Sequence, residues 1–122
     1  MNRKFFVPFE TAKALKEKGY PQLDNEWYYN PNGEIKLYQV LDEGYKEECP
    51  IMLAHYYFAA PTYHEVIDWL EGKGITIVLD CWFDCKKWSG LIRGRGKSID
   101  ISYQDTREEA LNAAILKALE II

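Results

Sequence analysis

Residues 62–83, TYHEVIDWLEGKGITIVLDCWF, predict an amphipathic helix followed directly by a β-strand. The helix begins with a capping box, in which the Thr62 hydroxyl and the Glu65 carboxylate each satisfy a backbone N–H that the first turn leaves unpaired. Gly72-Lys73-Gly74 ends the helix, and the residues that follow alternate between an apolar and a mixed face, as in a strand. The predicted buried stripe of the helix recurs at three- and four-residue spacing and consists of Tyr63, Val66, Ile67 and Leu70, with Trp69 at its edge.

Two further helices are predicted near the ends of the chain. The first follows Pro8 and stops before Gly19, a residue that can adopt the left-handed conformation. The last begins with a second capping box, from Thr106 to Glu109, and reaches the C-terminal residue. Its predicted buried face consists of Leu111, Ala114, Ile115, Ala118, Leu119 and Ile122.

The remaining strands follow from turn residues and alternation. The cluster from Asn30 to Gly33 separates two β-prone runs and predicts a hairpin, and an acidic loop then leads into an extended apolar segment, residues 51–60. Ile99, Ile101 and Tyr103 share one face of a later strand. That strand is predicted to pair antiparallel with residues 75–84.

These elements predict one α+β domain over residues 1–122. We expect an antiparallel sheet of about four strands with three amphipathic helices, in the order α-β-β-α-β-β-α. With the helices on one face of the sheet, the mixed face that carries Val78, Trp82 and Tyr38 is expected to stay partly open.

Length, charge and cysteine count narrow the class of protein. The chain has 122 residues, which suits one domain of about 100–150 residues, and a net charge of −4. The apolar run after Met1–Lys4 is too short for a secretory signal, and no run reaches the roughly 18 apolar residues of a membrane span. Three cysteines, Cys49, Cys81 and Cys85, are an odd number and favour free thiols. We therefore expect a cytoplasmic protein without a structural disulfide.

The sequence contains no recognisable catalytic or metal-binding motif. On a continuous strand Cys81 and Cys85 would lie about 13 Å apart, too far to share a zinc ion, so we interpret them as buried small hydrophobes. His64 with Asp68 is typical of a solvated pair on a helix, and His55 has no identifiable partner. We expect no catalytic residues, no metal and no cofactor. A small enzyme whose site is assembled only by folding is an alternative.

A basic segment near the end of the chain suggests a second function. Residues 86–97 carry five basic side chains and no acid, in a protein that is otherwise acidic. As a hairpin tip, this basic loop would contact phosphates while an aromatic ring stacks on a base. The alternative is a solvated loop whose charges balance acids elsewhere. The candidate nucleic-acid contacts are Lys86, Lys87, Trp88, Arg93, Arg95 and Lys97.

The abundance of large aromatic rings favours a binding protein. Tryptophan and tyrosine are more numerous than one small core readily encloses, and both residue types anchor protein interfaces. Some of these rings would instead cover the edge of the core with their hydroxyls in water. Our leading hypothesis is contact with a protein partner or with a second copy. The candidate interface residues are Tyr38, Tyr56, Tyr57, Trp82 and Trp88.

The three helical segments also resemble a known group of proteins. They read FETAKALKEKG at 9–19, APTYHEVIDWLEGKG at 60–74 and TREEALNAAILKALEII at 106–122. Together they look like small proteins encoded by phages and prophages of gut Bacteroidota, a group without an established activity. The resemblance implies a mobile-element accessory protein made inside a bacterial host cell, and it carries over no site residues.

Overall fold

The computed structural model describes four stretches of the chain, residues 3–22, 25–37, 57–82 and 86–122. The chain divides into two compact units. The first unit is Phe6–Pro61, and the second combines Met1–Phe5 with Thr62–Ile122. This division does not decide whether residues 1–122 behave as one domain, so that statement stays a prediction.

The first unit combines one helix with a three-stranded antiparallel sheet. Helix α1 spans Phe9–Glu17, and the strands are β1 (Trp27–Tyr29), β2 (Ile35–Leu37) and β3 (Phe58–Ala59) in the order β2-β1-β3. The predicted hairpin between β1 and β2 is confirmed, with Gly33 at a φ of +87° in its turn. Strand β3 comes from the apolar segment that was predicted to be extended.

Aromatic rings fill much of the core of the first unit. Phe9 of α1 contacts the rings of Tyr29 and Phe58, with centroid distances of 5.4 and 5.5 Å. Tyr28 and Tyr29 are buried, and their hydroxyls donate to the carbonyls of Gln22 and Val7. Because each buried hydroxyl has an acceptor, these rings are buried without leaving a polar atom unpaired.

The second unit contains the other two helices and a longer sheet. Helix α2 spans Tyr63–Gly72 and helix α3 spans Arg107–Glu120. A short 3₁₀ turn, Arg3–Phe5, also belongs to this unit. The strands run antiparallel in the order β4-β5-β6 and are β4 (Thr76–Trp82), β5 (Lys87–Gly94) and β6 (Lys97–Gln104).

The central strand of this sheet corrects the predicted pairing. Strand β4, the described part of residues 75–84, does not pair with β6, because β5 lies between β4 and β6 and pairs with both. The basic stretch predicted as a loop is therefore a strand and a tight turn at Arg95 and Gly96. The strand has an alternation of buried and exposed residues, with Gly90 and Ile92 buried and Arg93 exposed. The many basic side chains made this alternation hard to recognise in the sequence.

Helices α2 and α3 cover one face of the second sheet. Helix α3 packs across all three strands, and α2 packs against α3 and β4. The predicted stripes are confirmed, except that Ile67 and Ile122 are only half-buried. The Thr62 capping box is complete, and the Thr106 hydroxyl accepts from the Glu109 amide at 3.1 Å. The fully buried side chains of this unit are Val66, Leu70, Ile75, Ile92, Ala110, Ala114, Ile115 and Ala118.

The α+β class and the three predicted helices are confirmed. The described strands differ from the prediction in forming two three-stranded sheets instead of one sheet of about four. The reason is that each predicted pair of strands gains a third strand. Strand β3 joins β1 and β2, and β5 joins β4 and β6, so the element order is α-β-β-β-α-β-β-β-α. Within the described ranges, no helix is both long and apolar enough to cross a membrane.

Candidate functional site

The face of the second sheet opposite the helices is accessible and carries the best candidate site. We call it the open face. Cross-strand pairing places Val78 beside Leu91 and Trp82 beside Lys87. The residues that define the open face are Val78, Asp80, Trp82, Lys87, Ser89, Leu91, Arg93, Asp100 and Tyr103.

Two aromatic rings dominate this surface. Trp82 is 49% exposed and Tyr103 is 59% exposed, and their centroids lie 6.1 Å apart with the planes at 81°. This is the edge-to-face arrangement that aromatic pairs prefer. The Trp82 indole N–H also donates to the Ser89 hydroxyl at 3.0 Å. The tryptophan ring is therefore held in place by two contacts while half of its surface faces solvent.

The position of Tyr103 corrects the predicted alternation. The sequence pattern placed Tyr103 on the buried face with Ile101. In the structure Gly90 pairs with Ile101, but Trp88 pairs with Gln104, so β6 contains one extra residue at a β-bulge. A bulge reverses the alternation beyond it. Tyr103 consequently lies on the open face, where its ring meets Trp82.

The charges on the open face balance. Two aspartates, Asp80 and Asp100, lie on the same surface as Lys87 and Arg93. The Lys87 ammonium also pairs with the Asp105 carboxylate just beyond β6. The nine residues that define the open face thus carry two positive and two negative charges, whereas the whole chain has a net charge of −4.

The six candidate nucleic-acid contacts do not form one patch. Lys86 and Lys87 lie just before and at the start of β5, whereas Arg93, Arg95 and Lys97 lie near its end, in the following turn and at the start of β6. Lys87 and Arg93 are six residues apart on one strand, or about 20 Å. Trp88 is half-buried and lies on the helix-covered side of β5. The Trp88 ring therefore points to the opposite side of the sheet from Lys87 and Arg93.

The candidate interface residues are similarly dispersed. Of those in the described ranges, Trp82 lies on the open face and Trp88 on the opposite side of the same sheet. Tyr57 is half-buried before β3 in the first unit, and its carbonyl accepts from the Lys16 ammonium at 2.9 Å. Tyr38 and Tyr56 lie outside the described residues.

Cys81 and His64 are the cysteine and the histidine that the structure describes. Cys81 is a free and exposed thiol, which corrects the prediction that it is a buried hydrophobe, because it lies near the end of the edge strand β4. His64 and Asp68 form the predicted solvated pair at 3.6 Å. Cys49, Cys85 and His55 lie outside the described residues. Among the residues that the structure describes, no three His, Cys, Asp or Glu side chains could hold one metal ion.

A pocket of about 410 Å³ in the second unit was not predicted from the sequence. It is lined by the 3₁₀ turn at Lys4 and Phe5 and by the first turns of α2 and α3. These segments come from the beginning, the middle and the end of the chain, so no local sequence motif predicts the pocket.

No family model, curated protein or solved structure matches this chain. The resemblance to phage-encoded proteins therefore stays a prediction, and function is inferred from the geometry of the open face and of the pocket.

Proposed function

We propose that the protein is a non-catalytic binding module whose open face contacts a protein surface, and that this surface is a second copy of the chain. The observation that carries the proposal is the exposed Trp82–Tyr103 ring pair. An accessory role for a phage or prophage in a bacterial host cell, which the resemblance implies, is consistent with such a module.

The ring pair has the properties of an interface anchor. Tryptophan and tyrosine are the residue types most enriched at the energetic centres of interfaces. The Ser89 hydroxyl and the edge-to-face contact already restrict the indole of Trp82. Less conformational entropy is then lost on binding, because the ring is ordered beforehand. Val78, at 44% exposed, extends the apolar area on the same face.

The charge pattern favours a second copy as the occupant. Two acidic chains repel each other, but the open face itself carries two aspartates and two basic residues. A two-fold axis brings the same surface of both copies together, and a face that contains both signs can complement itself. Asp80 and Asp100 of one copy would then approach Lys87 and Arg93 of the other.

Sedimentation velocity over a range of concentrations tests this proposal. We expect a reversible dimer for the wild type, and at least tenfold weaker dimerisation for the double variant Trp82→Ala/Tyr103→Ala, the size of a typical hot-spot loss. Leu116→Ala is the matched control, because Leu116 is an exposed apolar residue on α3, away from the open face.

Thermal unfolding of each variant separates loss of association from loss of fold. A wild type that stays monomeric at all accessible concentrations would overturn the proposal of a second copy. Equal weakening by Leu116→Ala and by the double variant would also overturn it, since the effect would then not belong to the open face.

A further inference from the structure

We propose that the pocket in the second unit binds a small organic monoanion with a flat apolar body, such as an aryl carboxylate. This inference is independent of the open face, since none of the residues that line the pocket belongs to it. The pocket is formed by three separate segments, the 3₁₀ turn and the starts of α2 and α3. Its volume of about 410 Å³ lies in the range of small-molecule sites.

The apolar part of the pocket would hold the body of the ligand. Phe5, Ile67 and Leu111 line it, and Phe5 is 56% exposed. An aromatic ring this exposed beside a concave apolar wall is a favourable contact for a flat ligand. The described part of the chain leaves the apolar surface of Phe5 accessible to water, and a bound ligand would cover that surface.

The charged part of the pocket would hold the anionic group. Lys4 and Arg107 both line it, and Glu108 is the one carboxylate among the lining residues. The formal charges of Lys4, Arg107 and Glu108 sum to a single positive charge, in a chain with a net charge of −4. One negative charge on the ligand therefore matches the pocket.

Arg107 is the side chain best placed to recognise a carboxylate. It is exposed, and the ion pairs among the described residues do not include it. Its planar guanidinium presents two parallel N–H groups, which fit the two oxygens of a carboxylate. Lys4, whose ammonium lies 5.6 Å from the Phe5 ring centroid, places a second cation beside the apolar wall.

The backbone amides at the helix ends are not the basis of this site. The Thr62 hydroxyl accepts from the Glu65 amide and the Thr106 hydroxyl accepts from the Glu109 amide. In the first turn of each helix, one backbone N–H therefore already donates to the capping hydroxyl. The side chains of Lys4 and Arg107, together with the apolar wall, carry the proposal.

Titration with 2-naphthoate, followed by NMR chemical-shift changes, tests the pocket directly. The neutral comparison is 2-naphthylmethanol, which has the same ring system without the charge. We expect 2-naphthoate to bind at least fivefold more tightly, with shifts concentrated at residues 62–67 and 107–111. Arg107→Gln should weaken 2-naphthoate about tenfold and leave 2-naphthylmethanol unchanged.

Lys117→Gln is the matched control, because Lys117 is an exposed cation in the last turn of the same helix. Its affinity for 2-naphthoate should equal that of the wild type. Phe5→Ala should weaken the binding of both probes, since it removes the apolar contact.

The inference is overturned if the two probes bind equally, if neither binds at millimolar concentration, or if Lys117→Gln weakens 2-naphthoate binding as much as Arg107→Gln does. The Trp82→Ala/Tyr103→Ala variant should bind 2-naphthoate normally, so this test and the dimerisation test fail separately.

Discussion

Gly94 occupies a position in the second unit that no other residue fits. It ends β5 with a φ of +157°, and a Cβ built there would lie 2.7 Å from the Gly74 carbonyl oxygen and 3.0 Å from the Ile75 Cα. Both contacts are to backbone atoms, which cannot move aside as a flexible side chain can. The close approach of these segments therefore depends on the missing side chain.

We predict that Gly94→Ala lowers the free energy of unfolding by about 2 kcal/mol or more, because the backbone must shift to remove the clash. Urea denaturation measures the change. Gly72→Ala is the control, since Gly72 is the last residue of α2 and a Cβ there would meet no atom within 4 Å. That variant should gain up to about 1 kcal/mol from helix propensity. Equal effects of the two substitutions would contradict the prediction.

Lys16 is a described residue whose side-chain pKa is lowered by the fold. Burial lowers the pKa of its ammonium from the ordinary 10.5, although the group donates to the Tyr57 carbonyl and lies 4.8 Å from the Phe58 ring centroid. Desolvation disfavours the charged form, so the folded protein releases this proton at a lower pH than the unfolded chain does.

The sign of the resulting pH dependence follows from linkage. Below the lowered pKa the charged Lys16 costs the folded state a constant free energy, and this cost disappears as the pH rises through that pKa toward 10.5. We therefore predict that the stability of the wild type increases over this alkaline window relative to Lys16→Met. NMR titration of the Lys16 side chain should also give a midpoint below the ordinary 10.5. A midpoint at or above 10.5 would contradict the direction.

Helix starts are the elements that the sequence predicted best. The capping residues of α2 and α3 and the spacing of their apolar residues are local signals, and each requires no knowledge of distant contacts. Strand β5 was missed because its basic side chains resemble those of a loop. The bulge in β6 was missed because the register shift between Trp88 and Gly90 depends on the pairing of two strands, which alternation within one strand does not reveal.

We predict that Thr62→Ala lowers the free energy of unfolding by about 1 kcal/mol. The reason is that Thr62 accepts from the Glu65 amide at 3.2 Å and donates to the Glu65 carboxylate at 2.9 Å. Thr62→Ser keeps the hydroxyl and should retain most of the stability. Chemical denaturation of both variants measures the difference, and a serine variant as unstable as the alanine variant would show that the hydroxyl is not what stabilises the start of α2.

Considered as a whole, the molecule separates its charges in a way that composition does not show. Residues 86–97 carry +5, so the rest of the chain carries −9. The sequence predicted this imbalance, but it could not show that β5 would divide the basic residues between two ends of a strand. The pocket was also invisible, since Lys4 and Arg107 come together only through the tertiary fold.

This distribution predicts that the affinity for single-stranded nucleic acid, if there is binding, depends only weakly on salt concentration. If all five cations contacted phosphates together, the slope of log K against log salt concentration would be about −3.5. Because the basic residues lie in two groups, we expect a slope no steeper than about −2, measured by anisotropy of a labelled oligonucleotide. A slope near −3.5 that Arg93→Gln makes shallower would instead support the nucleic-acid hypothesis.

The bulge in β6 makes the open face depend on the register of the strand. Without the bulge, regular pairing beyond Gly90 and Ile101 would place Tyr103 opposite Trp88, and the tyrosine ring would turn toward the helices. Amino-acid composition and net charge would not change, yet Trp82 would lose its neighbouring ring. A one-residue slip of β6 against β5 would thus abolish the exposed ring pair without any substitution in the hydrophobic interior.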